Sequence, residues 1–429
     1  MVLIEFFDTD PIENFAGFII MKPRKVIFLG EKINEKEFER TFCSIANKRK
    51  INTIFETRVV NKNHLPNIVE VLENLVSNLR EENSDEEIVL DLCGGHDLML
   101  VAAGIVYNKH FDIIKLQRYN IYTNTMIDCT KNIIIANQKS AISVEECTMI
   151  YGGAVVNCEY QSSGLSRWEF LPEFNNDIYK MWSICVQDGR GWNRNTAINS
   201  KKLSNIPAEV LNIKVDLRGE TVEFKKNYRN FLIKLLNAGL IKNFKQINNA
   251  FSFDFKNKYI KQCLSKQGIL LELFVTMTAE LVEEDGRKVY DDVMMGVQID
   301  WDGLKSESGL DVVNEIDVIA MRGLRPLYIS CKNGSFGDEE LHKFSAVAKQ
   351  FGGQYVKKVL VTNYLSLNDN PARKSNSLQQ KGESVERYRN RLRKQLLWSR
   401  AQEMDITIVC RDFIKDEKTA AETLRNIYK

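Results

Sequence analysis

Across residues 1–118, short apolar runs alternate with amphipathic stretches without a break, and this alternation restricts the fold more than anything else in the chain. VLIEFF, KVIFLG, NTIFETRVV, EIVLDLCGG and DIIKLQRYN read as five strands, close to continuously apolar. Between them, residues 12–21, 35–48, 66–79 and 98–108 read as helices. The third of these carries Ile68, Val71, Leu72, Leu75 and Val76 at helical spacing. A strand that is apolar on both faces needs cover on both, and strictly alternating strands and helices provide it. The pattern predicts a Rossmann-like α/β domain built on a parallel sheet.

Residues 119–260 are less regular. Residues 224–248 read as a helix with Phe231, Leu232, Leu235, Leu236 and Leu240 on one stripe. In the NAFSFDFKN that follows, Phe251, Phe253 and Phe255 alternate as on a strand. A winged-helix element and a plain packing subdomain both fit that order. From Gly268 the texture changes again: a helix (GILLELFVTMTAEL), a three-stranded meander, a helix ending on FGG, the strand KKVLVTNY, a basic helix and the strand DITIVCRDF. The expected division is 1–155, a small middle subdomain at 156–260, and 261–429 as an αβββαβ domain.

Composition narrows the function classes. With 59 Lys and Arg against 57 Asp and Glu, the net charge is +2, so any nucleic-acid contact must come from local patches. Nine cysteines without a CxxC argue against a disulfide framework and a zinc cluster. MVLIEFFDTDP has acids where a secretory signal needs a basic region, and FAGFIIM and NIIIAN fall far short of the roughly 20 residues of a membrane span. The expectation is a cytoplasmic protein with no membrane segment.

In a parallel α/β sheet, ligands bind beyond the carboxyl ends of the strands. Two such ends stand out here, FFDTDPIEN and LDLCGGHDLML. Gly94 and Gly95 let backbone N–H groups approach an anion at a helix N-terminus, with His96 and Asp97 beside them. A turn that needs glycine for geometry alone has the same look. No GxGxxG follows the first strand and no GxxxxGK[ST] occurs, which disfavours a dehydrogenase and a P-loop ATPase.

A second constellation lies at 272–332. Asp317 is on one strand of a hairpin, and the next strand ends in Ser330-Cys331-Lys332, where Ser330 and Lys332 share a face. Glu272 sits in the apolar GILLELFV, where a carboxylate needs a partner or a metal. Two acids and a lysine on αβββαβ form the core of a PD-(D/E)xK nuclease. Glu272 and Asp317 hold Mg²⁺ or Mn²⁺ in that reading, with the backbone carbonyl of Cys331 as a further ligand, and Lys332 orients water or offsets phosphorane charge. Ser330 stands where the usual motif has a second acid. A solvated strand edge would carry similar residues.

Between residues 373 and 394 eight basic residues stand against Glu383 and Glu386. Arg387 with Arg391, and Arg389 with Arg393, are like-charged i,i+4 pairs that phosphates would relieve. Arg387, Arg391 and Lys394 are the candidate nucleic-acid contacts. A solvated helix face is the other reading.

With these segments in hand, the chain resembles the CARF-domain nucleases of type III CRISPR defence, the Card/Can group of ancillary effectors. FFDTDPIENFAGFIIMKPRKVIFLG and LDLCGGHDLMLVAAG are similar to a CARF domain's first strand-loop and fourth strand-to-helix turn. GILLELFV, NEIDVI, PLYISCKNG and KKVLVTN are similar in order to the family's PD-(D/E)xK domain, where serine also replaces the second acid. The resemblance implies a homodimer with a shared pocket for a cyclic oligoadenylate, most often cyclic tetra-adenylate. It places Thr9, Asn14, Gly94, Gly95, His96 and Asp97 on the ligand loops. It further implies a ligand-activated endonuclease that uses Mn²⁺ or Mg²⁺ to cut single-stranded RNA or DNA and to nick duplex DNA such as a plasmid. A CARF-type transcriptional regulator with an inert last domain, and a nuclease without an activator, are the rival expectations.

Overall fold

The computed structural model describes the chain except residues 8–9, 32–34, 138, 163, 165, 304–311, 374–382 and 429, and the side chains of 35–40 and 373. The N-terminal alternation forms β1 (Val2–Phe6), α1 (Asn14–Met21), β2 (Lys25–Gly30), α2 (Glu35–Lys48), β3 (Ile54–Val59), α3 (Leu65–Glu82), β4 (Ile88–Asp91), α4 (Asp97–Lys109) and β5 (Ile114–Asn120). These strands pair in parallel in the order β3–β2–β1–β4–β5. Two further strands, β6 (Thr125–Asp128) and β7 (Ile133–Asn137), extend the sheet antiparallel beyond β5.

Both faces are covered, as the continuous apolarity requires. Leu3 and Phe28 pack with Phe15, Phe18 and Phe42 of α1 and α2. Val2, Ile4 and Phe6 pack with Leu72, Val76 and Ala102 of α3 and α4 on the other face. The strand order reverses direction between β1 and β4, so the crevice at their carboxyl ends is the topological switch point.

After α5 (Val144–Ile150), the strands β8 (Ala154–Asn157) and β9 (Tyr160–Gln161) pair with the C-terminal sheet. The middle unit then comprises α6 (Pro172–Gln187), α7 (Gly189–Leu203), β10 (Asn212–Asp216), α8 (Val222–Asn237), β11 (Ile241–Ile247), β12 (Ala250–Phe255) and α9 (Lys258–Ser265). Phe251, Phe253 and Phe255 alternate inward on β12 as expected. The helix expected over 224–248 instead ends at Asn237, because Gly239 turns the chain at φ 72° and residues 241–247 form a strand. Leu236, counted on the buried stripe, is exposed.

The last part of the chain is α10 (Ile269–Leu281), the two-residue hairpin strands β13 (Glu283–Glu284) and β14 (Arg287–Lys288), β15 (Asp292–Asp300), β16 (Val313–Arg322), β17 (Arg325–Lys332), α11 (Asp338–Gly352), β18 (Lys357–Thr362), α12 (Val385–Glu403), β19 (Ile406–Cys410) and α13 (Glu417–Asn426). The large sheet runs β19–β18–β17–β16–β15–β8; β15, β16 and β17 are an antiparallel meander, and β18 and β19 add in parallel. This is the predicted αβββαβ order. One core joins the middle unit to the α10 face of this sheet through Trp182, Phe231, Phe274 and Ile329. A second joins the N-terminal domain to the α11 face through Phe15, Phe42, Tyr328 and Phe351. Among the described residues, no helix is long and apolar enough to cross a membrane.

Candidate active site and ligand loops

Asp317 lies where β16 and β17 part. Their pairing runs from Arg322 opposite Arg325 to Val318 opposite Ile329 and stops there. The next backbone donor, Cys331 N–H, turns to the Asp317 carboxylate and reaches Oδ2 at 2.6 Å. Ser330 Oγ donates to the same oxygen at 3.2 Å, and Lys332 Nζ stands 4.0 Å from it. Oδ2 thus collects all three groups, while Oδ1 keeps no partner among the described residues. Serine in place of a second acid has a visible consequence here: its hydroxyl orients Asp317 where a carboxylate would repel it.

Lys332 also pairs with Glu340 at 3.3 Å, on the first turn of α11. Burial disfavours the Lys332 charge, but the Asp317 and Glu340 carboxylates outweigh it and hold the ammonium above its ordinary value. Sequence reasoning missed Glu340. Its only signal was an acidic first turn, DEEL, which reads as an ordinary helix start. These residues, with Glu315, Lys343 and Phe344, line a cleft of about 150 Å³.

Glu272 enters from the first turn of α10, between the buried Leu271 and Leu273. Burial, then the charge of Asp317, pushes its carboxyl from 4.5 up to about 8. Its carboxyl has no hydrogen-bond partner among the described residues. Cys331 lies within the electrostatic reach of Asp317, Glu272 and Lys332, and burial first and Asp317 second drive its thiol well above the ordinary range. Its side chain is core, which leaves only its backbone to serve the site.

The donor set fits a divalent cation. Two carboxylates sense each other, the buried Glu272 driven toward neutrality by burial and by the Asp317 charge, and the half-buried Asp317 with one oxygen unpartnered among the described residues. Among the described residues no cluster of three His, Cys, Asp or Glu side chains is placed to hold a metal. A cation here would therefore rely on two carboxylates and backbone oxygen.

At the N-terminal crevice, Thr9 lies outside the described residues. Gly94, Gly95 and His96 are half-buried at its mouth and Asp97 is exposed, with His96 at the N-cap of α4. Gly95 has φ 96°, and a Cβ there would fall 2.5 Å from Phe6 Cβ, so the turn requires glycine. Asn14 departs from the expected loop position. It is 1 % exposed and donates to Glu5 Oε2 at 2.7 Å and to the Phe6 carbonyl at 3.2 Å, beneath Gly94. It braces the crevice from below and does not face its mouth. Glu5, opposite Asp91 in the β1–β4 ladder, is fully buried, and burial with the Asp91 charge pushes its carboxyl up. That need for an internal donor is what draws Asn14 inward.

The same loop touches the other domain. Asp10 accepts from Tyr151 Oη at 2.5 Å and from Gln354 N–H at 2.5 Å, and Tyr355 Oη donates to Glu13. Gly353, between α11 and these residues, has φ 61°, and a Cβ there would strike the Tyr151 hydroxyl at 1.9 Å. One helix, α11, therefore carries Glu340 at the cleft and ends against the loop between β1 and α1.

Two basic residues of the helix are tied up. Arg391 makes a two-pronged pair with Glu383 at 3.1 and 2.9 Å. Lys394 pairs with Asp369 at 3.4 Å and lies over the Tyr364 ring. Carboxylates and a ring, not phosphates, relieve the like-charge stacking at these two positions. Arg387 alone of the three candidates is exposed.

The Card1-like endonuclease domain model matches residues 262–415. No curated protein matches. Among solved structures, protein VC1899 from Vibrio cholerae is similar at 17 % identity and TM-score 0.72, covering 99 % of this chain and 98 % of its own. Can2 from Sulfobacillus thermosulfidooxidans, solved in complex with cyclic tetra-adenylate, is similar at 14 % identity and TM-score 0.63, with 99 % and 96 % covered. The chain thus carries a Card1-like endonuclease domain on the fold of the CARF-domain PD-(D/E)xK nucleases.

Proposed function

We propose that this chain is a cytoplasmic, metal-dependent endonuclease switched on by a cyclic oligoadenylate, cutting single-stranded RNA or DNA and nicking duplex DNA. The observation that carries the reading is the Asp317–Lys332 arrangement at the split of β16 and β17, with a buried Glu272 facing the charge of Asp317. Glu272, Asp317 and the Cys331 carbonyl would hold Mn²⁺ or Mg²⁺, which supplies Lewis-acid activation of water and of the scissile phosphate. Ser330 and the Cys331 N–H keep the Asp317 carboxylate oriented. Lys332, charged and half-screened by Glu340, offsets negative charge on the phosphate as the bond to the leaving oxygen breaks.

The crevice at Gly94–Asp97 takes the activator, for which the support is the switch-point geometry and the fold-level likeness to Can2, itself solved with cyclic tetra-adenylate. A second copy completes the pocket across a two-fold axis. The exposed Leu100, Val101 and Ile105 on α4, beside the glycine turn, suit that contact. Ligand in the crevice competes with the bonds that Asp10 and Glu13 make to Tyr151, Gln354 and Tyr355. Movement of α11 then changes the grip of Glu340 on Lys332. The test is cleavage of labelled oligonucleotides with Mn²⁺, with and without cyclic tetra-adenylate. Cleavage that needs both and disappears in Lys332→Ala supports the reading; full cleavage by Lys332→Ala overturns the site.

A further inference from the structure

The middle unit contains a groove of about 420 Å³ between α7 and α8, lined by Arg190, Arg194, Asn195, Asn227, Asn230 and Lys234 among others. That volume is in the range of ligand pockets, about 300–1,000 Å³. We infer that this groove binds a single-stranded segment of the nucleic acid that the neighbouring site cuts, an inference that rests on the nuclease reading.

Charge placement is the first argument. Arg190, Arg194 and Lys234 are exposed and have no carboxylate partner among the described residues, whereas Arg49, Arg322 and Arg391 are paired. Arg190 and Arg194 sit one turn apart at the start of α7. There they repel each other and face the positive end of the helix dipole. An anion in the groove reverses the sign of both effects. Asp188, the one acid on the lining, is already engaged as the N-cap, accepting from Gly191 N–H at 2.9 Å.

The second argument is an unspent polar group. Asn195 is 5 % exposed, lines the groove and has no hydrogen-bond partner among the described residues. Asn227 and Asn230 face it with further amides, which donate to and accept from base edges. The Arg194 guanidinium lies 4.5 Å over the Phe224 ring, presenting a flat cationic surface on which a base can stack. A paired duplex keeps its base faces stacked and its Watson–Crick edges paired, so it offers neither to such a groove.

The third argument is continuity with the cleft. Asn193, between the two arginines on α7, donates to the Asn333 carbonyl at 2.7 Å and accepts from its side chain at 2.9 Å. Asn333 directly follows Lys332. The groove is thus built onto the strand end that carries the candidate catalytic lysine.

The test is equilibrium binding of fluorescein-labelled twelve-residue oligothymidylate, oligouridylate and a twelve-base-pair duplex to the full-length chain in EDTA, across a salt series. Arg190→Gln/Arg194→Gln/Lys234→Gln is compared with the unaltered chain. Three lost phosphate contacts, at about 0.7 each for a single strand, flatten the log–log salt slope by about 2. At low salt, single-strand binding weakens at least tenfold. Arg229→Gln, on α8 but outside the lining, keeps the slope, and Arg194→Lys retains it where Arg194→Gln does not. Thermal unfolding confirms that each variant is folded. Wild-type affinity and slope in the triple variant overturn the proposal, as does absence of single-strand binding by the unaltered chain. Cleavage that depends on Lys332 but keeps its KM in the triple variant overturns the groove while leaving the nuclease reading intact.

Discussion

Replacing Glu272 with glutamine should make the metal-free protein more stable at alkaline pH and leave it unchanged near pH 4.5. Burial and the Asp317 charge push the Glu272 carboxyl from 4.5 up to about 8 in the fold. Between those values the folded chain keeps a proton that the unfolded chain has released, so stability falls as pH rises through the interval. Three and a half decades of proton affinity, at about 1.36 kcal/mol per decade, set a ceiling of about 5 kcal/mol on that loss. Glutamine mimics the neutral acid and removes the penalty. For a unit of 150–250 residues, about 2–4 °C per kcal/mol converts the ceiling to roughly 10–20 °C in Tm. The assay is thermal unfolding in EDTA at pH 4.5, 6 and 8.5 for wild type and Glu272→Gln. The predicted curves meet at the acid end and diverge above it. Millimolar Mn²⁺ at pH 8.5 should stabilise wild type and not the variant. Parallel curves at every pH would refute the placement of Glu272 against Asp317.

Four further outcomes are expected. Asp317→Ala and Lys332→Ala should each lower cleavage at least about 100-fold with ligand affinity unchanged, measured by single-turnover assay beside a ligand titration. Glu340→Gln removes one of the carboxylates that hold Lys332 charged, so the alkaline limb of the cleavage profile should move to lower pH. Asp10→Asn weakens two charge-assisted bonds at the α11 end, worth about 1.5–3 kcal/mol, and should raise ligand-independent cleavage at least tenfold; basal activity no higher than wild type counts against the coupling route. Gly95→Ala forces a side chain into a left-handed turn against Phe6, and should cost at least about 1 kcal/mol in a urea unfolding curve as well as ligand affinity.

The parts of the chain that were legible are those where burial dictates pattern. β1 to β5 lie between two helical layers, so each is apolar on both faces and stands out as a run. β7 shows the converse: Ile133, Ile134 and Ile135 make an apolar run, yet they lie exposed on an edge strand, so the run did not mark buried structure. α7 was unreadable for a related reason: GRGWNRNTAINSKKL opens on glycines and is mostly polar, yet it buries Trp192, Asn195, Thr196 and Asn199. The αβββαβ order came through, and the two-residue turn at Gly323–Leu324 sets the β16–β17 register that leaves Ser330 within reach of Asp317. Glu340 and Asp10 were invisible as partners because their roles depend on contacts 8 and 344 positions away. The ion pairs of Arg391 and Lys394 were unreadable for the same reason, their carboxylates lying on segments that composition alone treats as a loop.

The most direct test is cleavage of single-stranded RNA, single-stranded DNA and supercoiled plasmid with Mn²⁺, with and without cyclic tetra-adenylate, in parallel with Lys332→Ala. The account predicts product only when ligand and metal are both present, and none from the variant. Equal cleavage without ligand would contradict the switch, and cleavage by Lys332→Ala at the wild-type rate would contradict the site itself.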